Sequence, residues 1–378
     1  MTYDIQAKTE TVIRRADDKF GFFGFPNVMR MDDGSVLVST SGLRLHHMCP
    51  FGKVVLIHGD KNAENWELPQ VLRDSRLDDR DPSLLNLGNG RIMCSWYNWP
   101  LRMYFDRPFM QMIYEQMDNE DFLLCATHLR SVTPEQEAAD FGSWTCVSED
   151  NGKTWGEPHR APICSCHGPI KLADGSLLYV GKDINKKETG GANYAYKSVD
   201  EGKTWELLGE MPIPEGVTNR NFVDPCAMQL PSGRVIAHFR YQNADPTLYG
   251  KFTVFQTISD DFGRTWTIPQ CLGVNGSPPH LLLHSSGAIV CVYGRRADPL
   301  GERAMVSLDE GETWIKDIVL TDVTPHPDLG FPCSCELEDG SIYTVYYQRL
   351  MHDGKLDEKC SIVGTKWRLD DILEKNKK

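Results

Sequence analysis

Short apolar runs recur along the chain, and each begins directly after a polar turn that ends in glycine. The six segments read MDDGSVLVST, LGNGRIMCSW, LADGSLLYVG, LPSGRVIAHF, HSSGAIVCVY and LEDGSIYTVY. A tight turn followed by a largely apolar strand of this length is typical of a β-hairpin. The pattern therefore predicts six hairpins in antiparallel sheets.

The spacing of these hairpins predicts the architecture. Their turn glycines are Gly34, Gly90, Gly175, Gly233, Gly287 and Gly340. Four of the five spacings lie between 53 and 58 residues, which fits one four-stranded blade each. We therefore predict an all-β, six-bladed β-propeller that forms one domain over residues 1–378.

The fifth spacing, from Gly90 to Gly175, is 85 residues and contains an extra segment at about residues 104–140. This segment is rich in Met, Gln and Glu and has no Gly, which favours helix over strand. We expect a partly helical insertion that caps the funnel or makes a contact in a homo-oligomer. The alternative is a solvated excursion without a role.

A second repeat, Ser-x-Asp-x-Gly-x-Thr-Trp, lies in other turns. It spans Ser148–Trp155, Ser198–Trp205, Ser259–Trp266 and Ser307–Trp314, and a decayed copy, GDKNAENW, ends at Trp66. Asp and Gly favour a hairpin turn, and Ser and Asp side chains bind its backbone. We interpret the motif as a structural element of the hairpin; binding of calcium or another ligand by the Asp is the alternative.

Composition narrows the classes of partner. The formal net charge is −13 over 378 residues, which argues against nucleic acid or an anionic membrane as the main partner. The N-terminal residues have no apolar core typical of a signal peptide, so we expect a cytoplasmic protein. The twelve cysteines show no four-ligand zinc spacing, and we predict neither a metal nor a cofactor.

Polar side chains recur where each predicted blade enters or leaves its inner strands. They are Arg44 and His47 in blade 1; Asp79, Arg80 and Asp81 in blade 2; His167 in blade 3; Asp224 and Arg240 in blade 4; His280 and Arg296 in blade 5; and Tyr347 and Arg349 in blade 6. We expect these groups to converge at one end of the central channel. The alternative for residues 79–81 is an internal ion network, with Arg80 structural, and for Tyr347 it is a core aromatic.

The chemistry of this set indicates an anionic sugar. Several arginines in an acidic protein predict a carboxylate ligand held by bidentate pairs. Neighbouring carboxylates suit glycosidic bond cleavage, where one acid protonates the leaving oxygen and another group attacks or activates water.

The Ser-x-Asp-x-Gly-x-Thr-Trp repeats resemble the Asp-boxes (BNR repeats) of the sialidase superfamily, and the resemblance covers nearly the whole chain. It implies three arginines for the substrate carboxylate, a Tyr nucleophile assisted by Glu, and an Asp acid/base. Asp224 and Arg240 match the Glu and the second arginine, and Arg296 or Arg303 matches the third. The first arginine is missing beside Phe25, Phe331 replaces the Tyr, and the first-blade loop RLHHMCPFGK has no carboxylate.

The leading hypothesis is an exo-acting, sialidase-like glycosidase of carbohydrate metabolism that acts on a carboxylate-bearing sugar. Candidate catalytic residues are Asp79, Asp81, Asp224 and His167, and candidate substrate-binding residues are Arg44, His47, Arg80, Arg240, His280, Arg296, Tyr347 and Arg349. One alternative is a uronate-type lyase, in which His and Tyr remove a proton beside the carboxylate. The other is a glycan-binding propeller without catalysis.

Overall fold

The computed structural model describes residues 3–4, 8–13, 19–105, 111, 115, 117–186, 190–243, 245, 247–322, 324–370 and 372. Within these residues the strands form six antiparallel sheets arranged as the blades of a propeller, which confirms the predicted fold. Within each blade the strands follow one another in chain order from the innermost to the outermost. Blade 6 is the exception, because its outermost strand comes from the N-terminal part of the chain.

The first three blades have the following strands. Blade 1 contains Phe22–Arg30, Val36–Arg44, Lys53–Gly59 and Gln70–Arg73. Blade 2 contains Asp78–Gly88, Arg91–Trp99, Ser143–Ser148 and His159–Ala161. Blade 3 contains Leu177–Asp183, Asn193–Ser198 and Glu206–Glu210, and its innermost strand is split into Ile163–Cys164 and Ile170–Lys171.

The last three blades complete the circle. Blade 4 contains Phe222–Gln229, Val235–Gln242, Phe252–Ser259 and Gln270–Cys271. Blade 5 contains Pro279–Leu283, Ile289–Arg295, Gly301–Ser307 and Ile315–Thr321, with Tyr3–Asp4 added in parallel at its edge. Blade 6 contains Leu329–Glu336, Ile342–His352 and Lys355–Trp367, and the N-terminal strand Lys8–Ile13 closes the circle as its outermost strand.

The hydrophobic core lies between neighbouring blades. Between blades 1 and 6, for example, Val38 and Ile57 share one buried cluster with Val345 and Ile362. These residues come from strands whose other face packs on the opposite neighbour, which explains why the strands are apolar along most of their length. The stacking fixes the innermost strands around the channel.

Hydrogen bonds between neighbouring innermost strands add directional contacts around the channel. In four blades the residue after a proline accepts the backbone N–H of the next blade. The pairs are Asn27 with Leu84 N at 3.1 Å, Cys226 with Leu281 N at 3.3 Å, His280 with Ser334 N at 3.3 Å, and Cys333 with Val28 N at 3.3 Å. The prolines put these side chains at the same level of the channel wall.

The Asp-box turns have the structural role predicted for them. In the first copy Asp150 accepts the N–H groups of Lys153 and Thr154 at 3.1 and 2.8 Å, and the Thr154 hydroxyl at 2.6 Å. Ser148 accepts the N–H of Gly152 at 2.9 Å. The carboxylate is thus committed to its own loop, and the other three copies repeat the arrangement.

The decayed copy that ends at Trp66 also forms a turn held by a carboxylate, but it differs in detail. Asp60 accepts the N–H groups of Asn62 and Glu64 at 3.1 and 2.9 Å, and it stands one position before the Asp of the other copies, where this copy has Lys61. Ala63 occupies the glycine position with φ at 57°, a left-handed conformation that a non-glycine residue rarely adopts. The turn therefore resembles an Asp-box without its full pattern, and its assignment as a fifth copy stays a prediction.

The insertion is partly helical, as predicted, with helices at Asn119–Ser131 and Pro134–Asp140; part of it, including residues 106–110, lies outside the described residues. Leu129 packs with Met48 and Leu77, so the longer helix covers the first-blade loop. Across the described ranges, no helix is long and apolar enough to cross a membrane.

Candidate functional site at the channel mouth

A repeated backbone distortion lies in four innermost strands. The residue before a proline has a positive φ in each, at Phe25 (57°), Asp81 (47°), Asp224 (50°) and Phe331 (51°). The pairing with the second strand shifts register at the same place. Such a bulge redirects a side chain, and a left-handed residue before proline is disfavoured. Strained backbone of this kind concentrates at functional sites.

Phe25 and Phe331 form an aromatic base at the channel mouth. Their rings meet edge to face at 5.1 Å, and Tyr347 lies 5.3 Å from Phe25 and 6.1 Å from Phe331. Because these residues come from blades 1 and 6, their contact places both distorted positions on the channel side. Tyr347 is fully buried in this cluster.

Two arginines lie over Phe331. The guanidinium carbons of Arg240 and Arg296 are each 5.9 Å from its ring centre. Arg240 donates to Asp224 at 3.2 Å and to Gln242 at 2.6 Å. Burial and the neighbouring Arg296 lower the pKa of Arg240. The channel mouth therefore holds two arginines whose positive charges are close enough to repel each other.

Arg296 has two donor nitrogens that no described residue uses. Its Nε and Nη2 atoms are buried without a hydrogen-bond partner, and no ion pair joins it to another residue of the described part of the chain. Burial raises the pKa of the nearby Glu302 to about 8, so this side chain is mostly protonated at neutral pH. Asp328 is instead bound to His47 at 2.8 Å and to Tyr347 at 3.1 Å.

Glycine lets blades 5 and 6 approach each other closely beside this arginine. A Cβ atom on Gly294 would lie 2.9 Å from the Cα atom of Gly330, closer than real side chains approach. A Cβ atom on Gly330 would lie 3.6 Å from Nη2 of Arg296. The close approach of blades 5 and 6 at this point therefore depends on glycine.

Asp81, Tyr97 and Asp224 form the acidic part of the site. The Tyr97 hydroxyl donates to Oδ2 of Asp81, while Oδ1 of Asp81 is buried without a partner. Burial raises the pKa of Tyr97 well above its ordinary value, and the charges of Asp81 and Asp224 raise it further. Two carboxylates, one from blade 2 and one from blade 4, thus lie near one phenol.

A cavity of about 430 Å³ opens beside His47 and Asp328. The insertion supplies one wall through Glu115, Asp118 and Asp121, and blade 6 supplies Arg349. Burial lowers the pKa of His47 although Asp328 opposes the change. The insertion therefore borders the candidate site, on the side of blades 1 and 6.

Arg44, predicted to bind substrate, lies instead in a buried ion network. It has no exposed surface, pairs with Asp78 through both terminal nitrogens, and donates to the carbonyl of His47 at 2.9 Å. Arg80 also donates to Asp78, at 3.1 Å. Burial alone would raise the pKa of Asp78, but the two arginines hold it below its ordinary value. We call Arg44, Asp78 and Arg80 the brace.

Asp79, predicted as a catalytic acid, is also placed away from the channel. It has no exposed surface and accepts hydrogen bonds from Ser75 at 2.8 and 3.0 Å and from Asn98. Burial raises the pKa of Asp79 to about 7. That value suits a general acid, but the carboxylate is enclosed by its own blade, so the structure does not support a role in contact with substrate.

The other predicted residues are brought together around the channel. Arg80 joins the two groups, because it belongs to the brace and lies 4.4 Å over the ring of Phe25. The residues at the mouth are His47, Asp81, Asp224, Arg240, Arg296, Tyr347 and Arg349. His167 and His280 lie against each other with ring centres 5.2 Å apart.

The sequence interpretation missed Tyr97, Cys226 and Glu302. A sequence signal for this level of the channel does exist, because prolines precede the turn glycines at a constant distance. Pro26, Pro82, Pro225, Pro279 and Pro332 each stand eight residues before their glycine. No comparable signal marks Tyr97 or Glu302, which lie in the second and third strands of their blades.

The fold and the arginine-lined mouth define a sialidase-like β-propeller. The chain belongs to the BNR repeat-like domain family, whose model matches residues 110–344. No curated protein shows significant sequence similarity to the chain. The predicted resemblance to the BNR-repeat, sialidase-like superfamily is therefore confirmed at the level of the family and the fold.

Solved structures share the fold at low identity. A Dyadobacter fermentans protein of unknown function has a TM-score of 0.72 and 21% identity, over 95% of this chain and 97% of that chain. The Hadza microbial sialidase Hz136 has a TM-score of 0.62 and 15% identity, over 95% of this chain and 68% of that chain. The intramolecular trans-sialidase from Ruminococcus gnavus, in complex with oseltamivir carboxylate, has a TM-score of 0.63 and 13% identity, over 96% of this chain and 98% of that chain.

Proposed function

We propose that this protein is a glycoside hydrolase that binds a carboxylate-bearing sugar at the channel mouth. The observation that carries the proposal is Arg296, whose Nε and Nη2 atoms are buried without partners next to Arg240. Buried donors without partners cost free energy, and a ligand carboxylate would satisfy them with charge-assisted hydrogen bonds.

The ligand class follows from the shape of the donors. A guanidinium presents a planar fork that matches the two oxygens of a carboxylate. Asp224 and Gln242 hold the guanidinium of Arg240, and that of Arg296 lies 5.9 Å from Phe331 with two buried nitrogens free for a ligand. The structural neighbour from Ruminococcus gnavus, which is in complex with oseltamivir carboxylate, offers a precedent for a ligand of this type on the shared fold.

Asp81 and Asp224 are the candidate reacting carboxylates. Arg240 binds Asp224 at 3.2 Å, which positions this carboxylate to stabilise positive charge on the sugar ring. Tyr97 donates to Oδ2 of Asp81 and orients the carboxylate, and its buried Oδ1 has no partner, which leaves this oxygen available as an acid or base. Asp79 and Arg44 have no part in this scheme.

A uronate lyase is the second candidate, because His47, Asp328 and Tyr347 form a connected group beside Arg296. Asp328 accepts from both His47 and Tyr347, at 2.8 and 3.1 Å. Burial lowers the pKa of His47, which keeps the imidazole neutral and able to take a proton. In this scheme Arg296 would neutralise the uronate carboxylate during proton removal.

The test is a screen of aryl uronides and sialosides against their methyl esters, with binding measured by calorimetry and cleavage by release of the aryl group. Loss of one charge-assisted, bidentate contact is worth about 1.5–3 kcal/mol, so the acids should bind roughly ten to a hundred times more tightly than the esters. Arg296→Met should remove this preference, and Asp224→Asn should abolish cleavage while binding persists.

Arg234→Met is the matched control, because Arg234 pairs with Asp260 and Glu312 at the Asp-box turns. It should retain both binding and cleavage. Equal affinity for acids and esters would refute the carboxylate site. An unsaturated product that absorbs in the ultraviolet would select the lyase, and binding without any product would indicate a glycan-binding propeller.

A further inference from the structure

Three side chains from consecutive blades meet deeper in the channel. They are His167 of blade 3, Cys226 of blade 4 and His280 of blade 5, and one potential ligand atom from each lies within 4.8 Å of the other two. His167 and Cys226 are buried, and His280 is mostly buried. Imidazole nitrogen and thiolate sulfur are the ligands that zinc and copper prefer.

The backbone explains how the three side chains meet. Cys226 and His280 each follow a proline, at the level of the channel wall where Asn27 and Cys333 lie in blades 1 and 6. His167 lies in the gap between the two short strands of blade 3, Ile163–Cys164 and Ile170–Lys171. That gap frees the chain from the regular blade and lets the ring reach His280 at 5.2 Å.

Hydrogen bonds between blades give the side chains of Cys226 and His280 a structural role, but the side chain of His167 makes no such bond. Cys226 and His280 accept N–H groups from the next blade, as Asn27 and Cys333 do. His167 is only 8% exposed, yet neither of its ring nitrogens forms a hydrogen bond of normal geometry. The carbonyl of Pro279 lies near enough to favour the charged imidazole slightly, but burial outweighs it. A buried imidazole without partners costs free energy unless something binds it.

We propose that His167, Cys226 and His280 bind a divalent transition metal ion, with Zn²⁺ the best match to two nitrogens and one sulfur. Three protein ligands leave at least one coordination position for water or for a molecule in the channel. Bonds of about 2.0–2.3 Å place ligand atoms roughly 3.5 Å apart, so the side chains would close in by at most about 1.3 Å.

The existing contacts of the three side chains are compatible with this role. Nδ1 of His280 accepts the Ser334 N–H only at a long 3.3 Å, so ligation at this atom would replace a weak contact. Zinc binds cysteine as the thiolate, so metal binding should release one proton from Cys226.

The test uses the whole protein, stripped with a chelator and titrated with Co²⁺ as a spectroscopic probe and then with Zn²⁺. We expect one ion per chain, a near-ultraviolet thiolate-to-cobalt band, visible bands of a four-coordinate site, loss of these bands on addition of Zn²⁺, and release of one proton. His167→Ala should abolish binding, and because it removes a buried imidazole without partners it should not lower thermal stability.

Two cysteine variants make the test specific. Cys226→Ser keeps an acceptor for the Leu281 N–H but should lose the thiolate band. Cys333→Ser is the matched control, because Cys333 occupies the same position in blade 6 and accepts the Val28 N–H; it should keep all bands. Failure of the wild-type protein to bind Co²⁺ more tightly than His167→Ala, or a thiolate band that survives in Cys226→Ser, would overturn the proposal.

Discussion

Arg44 and Arg80 lie in the brace under the first-blade loop, and Arg240 and Arg296 lie over Phe331 at the channel mouth. In the brace, Asp78 is fully buried and accepts hydrogen bonds from both arginines and, at 3.1 Å, from Tyr104. At the mouth, Asp224 accepts a hydrogen bond from Arg240, and Arg296 has two buried nitrogens without partners.

The difference separates structural from ligand-binding arginines more clearly than sequence position does. All four arginines flank inner strands, and all are largely removed from water. A buried charge is tolerated when its partners are complete, and it is costly when they are not. In the brace both arginines pair with Asp78, although Nε of Arg80 is buried without a hydrogen-bond partner, whereas Arg296 makes no ion pair with a described residue and would pair with a ligand carboxylate in our proposal.

The largest change in the free energy of unfolding is expected from Arg44→Met. This variant keeps much of the side-chain volume but leaves Asp78 with a single arginine, and breaking a buried ion pair costs about 3–5 kcal/mol. We expect the free energy of unfolding, measured with urea, to fall by about 3 kcal/mol. Arg234→Met removes a surface pair and should cost less than about 1 kcal/mol. Equal losses in the two variants would show that the brace contributes no more than a surface pair.

Raising the pH is expected to have a smaller effect, a loss of affinity for a carboxylate ligand, because it ionises Glu302 beside Arg296. The pKa of Glu302 is raised to about 8 by burial, above the value of about 4.3 in the unfolded chain. The protonated form is favoured in the folded protein, so its stabilising effect is present at low pH and is lost as the pH rises through about 8. Ionised Glu302 then competes for Arg296, and affinity for a carboxylate should fall roughly three- to tenfold between about pH 7 and pH 9.

Glu302→Gln is the matched control for this pH dependence, because it keeps the shape and cannot ionise. Calorimetric affinities of this variant should be constant over the same pH range. A wild-type affinity that does not change with pH, or a Gln variant that keeps the full decrease, would show that Glu302 does not act on Arg296.

The fold was predictable because its signals are local. Each turn, from Gly34 to Gly340, carries its own glycine and its own apolar strand, and each Asp-box satisfies its hydrogen bonds within eight residues. Even the decayed turn at Asp60 keeps the carboxylate that binds the loop. A repeat of this kind can be counted without knowing which residues meet in space.

The site was predictable only in part, because its contacts join different blades. Sequence placed Asp224, Arg240 and Arg296 near the channel, and the structure shows Arg240 and Arg296 over the same ring. Sequence does not reveal which arginine has a buried partner within the protein. Arg44 was therefore predicted to bind the ligand, whereas in the structure it pairs with Asp78. His167, Cys226 and His280 are 59 and 54 residues apart, and no spacing motif joins such distant residues.

The smallest change in stability is expected from Arg296→Met. The variant removes a half-buried cation whose Nε and Nη2 atoms are buried without partners, while methionine keeps a flexible side chain in the same place. Because the arginine makes no ion pair with the described residues, its loss should change the free energy of unfolding by less than about 1 kcal/mol, and an increase would fit best. Urea unfolding of this variant beside Arg44→Met measures the comparison directly. A loss as large as that of Arg44→Met would show that Arg296 is a structural arginine and that the two regions do not differ.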